Sequence, residues 1–329
     1  MKKLFAAFAQ LILIFSTANA EMEEKSMNVC DLNAIYGSTY SYSLPRGVME
    51  SFLSEKAFDH PNVYTAEESE ALAVDIQAIY TKAMGQNPQR LPVAVMTAGA
   101  PGAGKTIKMR QELSQNGGFA YMDPDDVCLR EMERTYGRMV AESDGSPEAR
   151  LAAYNKWRPG SNAAAHLALA NLIRDQYAFY FGTTSTGAAT SRFFEFLKRQ
   201  GYGISLIHIT APDDVRWESI KERDKTFVQT TEADVREKGL LLPQRIQDTY
   251  LRFADAINFF YRGAVLEDAR LAATWVRQAD GMGELQIVDP DLYEQVKGVH
   301  NAAVRALKMP DLLWEATVER SSRVAIPAK

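Results

Sequence analysis

The sequence predicts an α/β protein whose five-stranded, mainly parallel sheet is flanked by helices, and two observations predict it. From Leu91 onward, five short runs rich in β-branched and aromatic residues alternate with helix-patterned stretches. The first run leads at once into a glycine-rich turn that opens a helix. Such alternation implies parallel strands joined by right-handed crossovers, and in such sheets ligands lie beyond the carboxyl ends of the strands. The chain has 329 residues, 46% hydrophobic and 24% charged, which suits one large domain or two smaller ones. It excludes a disordered chain, a collagen-like repeat and a disulfide-framed miniprotein. With a net charge of −5 there is no general cationic field to hold nucleic-acid backbone, so polymeric nucleic acid is not an expected partner.

In chain order, residues 1–20 form a unit of their own. Lys2 and Lys3 precede an apolar run ending in Ala18-Asn19-Ala20, the pattern of a secretory signal peptide. The run is too short to span a bilayer, and no later segment is apolar enough to do so. The chain is therefore expected to be exported to the periplasm or beyond, the alternative being a cytoplasmic protein that starts at Met22. Residues 21–88 read as a helical N-terminal extension, because Thr65 and Glu68 form a capping-box pattern ahead of helical spacing that Asn87-Pro88 closes. The expected core domain covers 89–300, with 301–329 as a C-terminal tail. Its strands are Val93–Met96, Phe119–Met122, Tyr177–Phe181, Ile204–Ile209 and Leu285–Val288. Two cysteines, Cys30 and Cys128, allow one bridge or two separate thiols. With only four scattered histidines, no zinc spacing is present.

The chemistry is expected after the strands. Gly99-Ala100-Pro101-Gly102-Ala103-Gly104-Lys105-Thr106 matches G-x-x-x-x-G-K-[ST] in full and opens a helix at Ile107–Leu113. Glycines let backbone N–H groups turn inward around a β-phosphate, Lys105 reaches the β/γ bridge, and Thr106 can hold Mg²⁺. The bland alternative is a glycine-rich turn without a ligand. After the second strand, Asp123-Pro124-Asp125-Asp126 sets three carboxylates at the same sheet edge; they can cap a helix, take a proton from an attacking hydroxyl or hold a water of a Mg²⁺ shell. After the fourth, Thr210-Ala211-Pro212-Asp213-Asp214 starts a helix that carries Arg216 and ends in Lys221-Glu222-Arg223. The polar stretch beyond, with Arg236 and Arg245, is where a mobile arginine-bearing lid would sit, or simply a solvated charged face.

In this order the motifs resemble the zeta toxin family, P-loop kinases of bacterial toxin and antitoxin systems, over about residues 90–295. Matching elements are Pro101 to Thr106, Met122-Asp123-Pro124-Asp125, Ser161-Asn162 opening a helix, Phe181-Gly182-Thr183 and Lys221-Glu222-Arg223. The resemblance implies a three-layer P-loop sandwich and transfer of the γ-phosphate of ATP, with Mg²⁺, to UDP-N-acetylglucosamine at the 3′-hydroxyl of its amino sugar. It further implies Gly99 to Thr106 around the nucleotide, with Lys105 and Thr106 at ATP and Mg²⁺; of the acidic cluster, Asp123 is the carboxylate expected beside the metal. Asp125 becomes the base for the sugar hydroxyl and Arg223 a phosphate-stabilising arginine. A second lid arginine falls near Arg236 or Arg245. The chain departs from the family at three acceptor-binding positions: Phe181 replaces a glutamate, Ser185 an arginine, and His166 an acid. The expected acceptor is therefore a hydroxylated small molecule, UDP-N-acetylglucosamine or another. A nucleotide-binding module without transfer activity and a nucleotide hydrolase are the alternatives; Asp125 favours transfer over the first, and no water-positioning residue supports the second. Nothing in the chain implies an antitoxin partner.

Overall fold

A computed structural model describes residues 64–187, 189–223 and 230–325. The signal-peptide pattern and Cys30 lie outside these residues. The chain enters on α1 (Ala66–Met84), whose start is a complete capping box. The Thr65 hydroxyl accepts from the Glu68 N–H, and the Glu68 carboxylate accepts from the Thr65 N–H. β1 (Val93–Ala98) leads through the glycine loop into α2 (Lys105–Gln115), and β2 (Ala120–Met122) into a π-helical turn at Pro124–Cys128. Then come α3 (Pro147–Arg174), β3 (Phe179–Phe181), α4 (Ala189–Arg199), β4 (Gly203–Thr210), α5 (Asp213–Arg223) and α6 (Glu232–Arg245). The chain continues through β5 (Ala256–Tyr261), β6 (Arg270–Arg277), β7 (Gly283–Ile287), α7 (Pro290–Leu307) and β8 (Ser322–Ala325).

The sheet runs in the order β2-β3-β1-β4-β5-β6-β7-β8. Its first five strands are parallel, and the order reverses at β1. β1 and β4 are buried along their whole length, as continuous apolar runs must be when helices cover both faces. One face packs on α1, α3, α4 and α7 through residues such as Ile76, Leu169, Phe194 and Val296; the other packs on α2 through Met109. The α/β, three-layer expectation holds.

The strand count does not: the sheet has eight strands rather than five. β6 escapes a sequence reading because Arg270-Leu-Ala-Ala-Thr-Trp-Val-Arg carries residues that favour helices, and only the neighbouring strands supply the partners that make it extended; β5, Ala-Ile-Asn-Phe-Phe-Tyr, has strand composition and is an omission of the sequence reading. The Leu285 run is a strand but pairs antiparallel with β6, and its alternating burial fits an antiparallel strand with one wet face.

Three further expectations are corrected. Ser161-Asn162 lies in the middle of the 28-residue α3 instead of opening a helix. Arg236 and Arg245 stand on α6 instead of in a polar stretch. Residues 301–325 are no tail: they finish α7, bury Trp314 and add β8 to the sheet in parallel with β7. The expected N-terminal extension also joins the main core, through Leu72, Ile76, Ile79 and Ala83.

Candidate active site

Backbone geometry builds the phosphate cradle. Gly99, Gly102 and Gly104 have φ of 139°, 80° and 95°, a region that costs any residue with a Cβ. Space forbids a side chain as well: an ideal Cβ at Gly99 would lie 2.5 Å from Ile209 O, and one at Gly102 2.2 Å from Arg216 O. Ala100, Pro101 and Ala103 complete the turn, and Gly104 is the N-cap of α2, so the first free N–H groups of that helix point where an anion would sit. Lys105 begins α2 with Thr106 beside it, and its Nζ donates to Ala100 O at 2.9 Å. Burial of the ammonium, opposed by Asp123 and reinforced by Arg216 and Arg223, brings the Lys105 pKa down to about 7.

The three carboxylates after β2 take three different positions. Asp123 is buried and caps the π-helical turn, its Oδ1 accepting from the N–H groups of Asp125 and Asp126 at 2.8 Å each. Burial pushes its pKa up to about 6 despite those bonds. Gly182 makes room for it, since an ideal Cβ there would fall 1.9 Å from Asp123 Oδ2. Asp126 pairs with Arg110 of α2 and takes a hydrogen bond from the Tyr121 hydroxyl at 3.3 Å. Only Asp125 presents its carboxylate outward, 53% exposed, where Arg158 of α3 meets it at 2.7 Å.

Arg158 has no sequence signature. It stands in α3 directly before Pro159, where the N-terminal segment meets the helix. The Tyr64 hydroxyl donates to Lys156 O at 2.9 Å and accepts from the Gly160 N–H at 3.0 Å, standing inside the broken helical ladder. The Tyr64 ring stacks on Trp157. Arg158 also donates to Tyr154 Oη, Ser161 Oγ and Asn162 Oδ1, so the residues of the expected substrate helix meet Asp125 through it.

The loop after β3 is tied down rather than open. Thr97 Oγ1 donates to Thr183 O at 2.7 Å, Gly99 N–H to Thr184 O at 3.1 Å, and Ser185 Oγ to Thr97 O at 2.7 Å. Ser185 is buried with φ 53°, so it braces the loop and faces no ligand. Phe181 and His166 are buried edge-to-face against each other and Phe193. All three departing positions are thus interior.

On the lid side, Arg223 ends α5 close enough to Lys105 to lower its pKa. Of the two second-lid candidates, Arg245 is tied to the loop after β3: its Nε donates to Thr186 O at 3.1 Å and its Nη1 pairs with Asp248 at 2.6 Å. Arg236 pairs with Glu232 at 2.9 Å on the exposed face of α6 and reaches the rim of a cavity of about 320 Å³ between α6 and α7. That cavity touches the phosphate loop at Ala100 but includes none of the three carboxylates. Arg262 was not read from the sequence either: just beyond β5 and buried, it donates to Gly102 O at 2.6 Å. Cys128 is a buried free thiol. Among the described residues no group of three or more His, Cys, Asp or Glu could hold a metal, and no helix is long and apolar enough to cross a membrane.

A sequence model of the zeta toxin family matches residues 77–268. No curated protein matches the chain in sequence. Among solved structures, a chain from the PezAT chromosomal toxin-antitoxin system of Streptococcus pneumoniae aligns at 17% identity, over 76% of this chain and 98% of its own, with a TM-score of 0.45. A chain of the AvrRxo1-ORF1:-ORF2 complex with ATP aligns at 13% identity over 90% of this chain and 96% of its own, at a TM-score of 0.52. The native form of that complex gives 14% identity, 88% and 93% coverage, and 0.50. The two AvrRxo1 alignments show a shared fold.

Proposed function

The chain belongs to the zeta toxin family, and from that premise we propose that it is an ATP-dependent phosphotransferase acting on a hydroxyl of a small molecule. One observation carries the reading: the phosphate loop with Lys105 follows β1 and the outward carboxylate of Asp125 follows β2, the two strands that flank β3 in one sheet, with Arg158 fixing the carboxylate. The fit to ATP rests on the three positive-φ glycines and on a buried ammonium whose charge a polyphosphate would restore. Thr106 and Asp123 would hold Mg²⁺, which when bound neutralises charge on the β- and γ-phosphates.

In this reading, the loop N–H groups and Lys105 bind and orient the phosphates. Asp125 accepts the proton of the acceptor hydroxyl at its carboxylate, and Arg158 keeps that carboxylate turned toward the acceptor. Arg223 compensates charge on the transferring group and helps exclude water. UDP-N-acetylglucosamine is one acceptor to test. The interior placement of Phe181, Ser185 and His166 favours a different hydroxylated compound, because none of them is free to meet a sugar-nucleotide.

The deciding experiment follows γ-labelled ATP into a metabolite mixture, with UDP-N-acetylglucosamine as one defined acceptor. Label should enter a small molecule with the parent and not with Lys105→Ala, which loses the charge on the β/γ-phosphates. Equal labelling by both proteins overturns the reading. We also propose export through the N-terminal twenty residues; N-terminal sequencing of the exported protein should begin at Glu21, and a chain still starting at Met1 contradicts it.

A further inference from the structure

Two segments far apart in sequence, the phosphate loop and α5, touch at two points. Gly102 presses against the backbone of α5, so closely that a Cβ there would strike Arg216 O. The second point is bridged by Arg262. Its Nη2 donates both to Gly102 O, at 2.6 Å, and to Ser219 Oγ on α5. The bridge is itself anchored, because the Arg262 N–H donates to Thr210 O at 2.9 Å, at the end of the strand that feeds α5. The Arg262 guanidinium also fills the space beside Gly104, with Nη1 3.3 Å from where a Cβ would stand.

Along α5, Arg216, Ser219 and Arg223 follow one another at helical spacing on one face. Fixing Ser219 therefore fixes the rotation and height of the helix that ends in Arg223. Arg262 is almost fully buried, and its Nε has no hydrogen-bond partner.

We propose that Arg262 is a positioning residue that joins the phosphate loop to α5, so that a nucleoside triphosphate bound on the loop sets the placement of Arg223. The inference rests on the nucleotide-binding reading above and adds a coupling to it. Arg262 acts through Gly102 and Ser219. When phosphates draw the loop N–H groups inward, the Gly102 carbonyl is held on the opposite side by Arg262, and the same guanidinium holds α5 against the loop.

Equilibrium binding of ATP with Mg²⁺, and hydrogen exchange of α5 amides with and without it, test this on the full chain. In the parent, ATP should slow exchange in both the loop at 99–106 and α5 at 213–223. Ser219→Ala cuts the bridge on the helix side only. It should keep ATP affinity within about threefold and keep loop protection, while the ATP-induced protection of α5 falls by roughly tenfold, as for one lost charge-assisted hydrogen bond. Ser219→Thr, which retains a hydroxyl, should restore it. Arg262→Lys, whose ammonium cannot reproduce the planar fork, should lose the α5 protection and weaken ATP binding by roughly tenfold. A merely structural role would lower protection equally with and without ATP. Undiminished ATP-induced protection of α5 in Ser219→Ala and Arg262→Lys overturns the coupling, as does a parent in which ATP protects the loop alone. A parent that binds no ATP overturns the kinase reading itself.

Discussion

Lys105 and Asp125 carry opposite halves of the proposed chemistry, and each yields a prediction from its surroundings. With its pKa held at about 7, Lys105 is charged at pH 6 and mostly neutral at pH 8. Phosphates favour the ammonium, so above pH 7 the protein must take up a proton to bind ATP. ATP affinity should therefore fall by up to about tenfold per pH unit between pH 7 and 9. Asp123 has the opposite sign: below its pKa of about 6 it is neutral, and affinity for Mg²⁺ should fall as pH drops through 6. Calorimetric titrations across pH 5–9 check both limbs, and a flat profile from 7 to 9 would mean that Lys105 takes up no proton when ATP binds. For Asp125, substitution by Asn keeps shape and removes the basic oxygen. ATP binding should persist while turnover drops roughly 10²- to 10⁴-fold, the range for a general base. Unchanged turnover would take the role from Asp125. Asp123 and Asp126 are poorer bases on geometry, because both carboxylates are largely buried, the first capping its turn and the second against Arg110, while that of Asp125 is exposed.

At the scale of elements, α3 shows how a helix break is made useful. Pro159 removes a ladder donor, and Tyr64 supplies the hydroxyl that satisfies Lys156 O and the Gly160 N–H on either side. Burial raises the Tyr64 pKa to about 12, so the hydroxyl stays a donor over the whole working range. Tyr64→Phe leaves both backbone groups unpaired at a partly buried site and should destabilise the protein by about 1–3 kcal/mol. Urea unfolding measures this, and a midpoint equal to the parent's would mean water replaces the hydroxyl without loss. The capping box at Thr65, the glycine loop and the acidic turn after β2 were all legible, because each is local: its residues lie within eight positions of one another. Arg158 and Arg262 were not. Their partners lie 33 and 160 positions away, and nothing in a single sequence marks which of its arginines a fold will bring to a given carboxylate or carbonyl.

For the whole molecule, the C-terminal residues are part of the fold. Trp314 is fully buried, packs edge-to-face on Phe259, and donates its indole N–H to the Tyr293 hydroxyl at 2.9 Å. Removing a side chain of this size leaves a cavity and takes one bond from the Tyr293 hydroxyl, which keeps its bond to Glu319 at 2.8 Å. Trp314→Ala should cost about 3–5 kcal/mol, read from thermal or urea unfolding. A loss under about 1 kcal/mol would show that the segment is dispensable after all.

The sequence by itself determined the phosphate loop, the acidic turn, the parallel α/β class and the resemblance to a kinase family, because these depend on residue type at short fixed spacing and on continuous apolar runs. Tertiary structure alone decided which of three adjacent carboxylates faces outward, which arginines reach the site, and how three antiparallel-paired or late strands extend the sheet. It also decided that Phe181, Ser185 and His166 lie in the interior. The reason is physical: a strand or a buried ion pair is stabilised by partners brought together from distant positions, and until the chain folds, those partners are not neighbours.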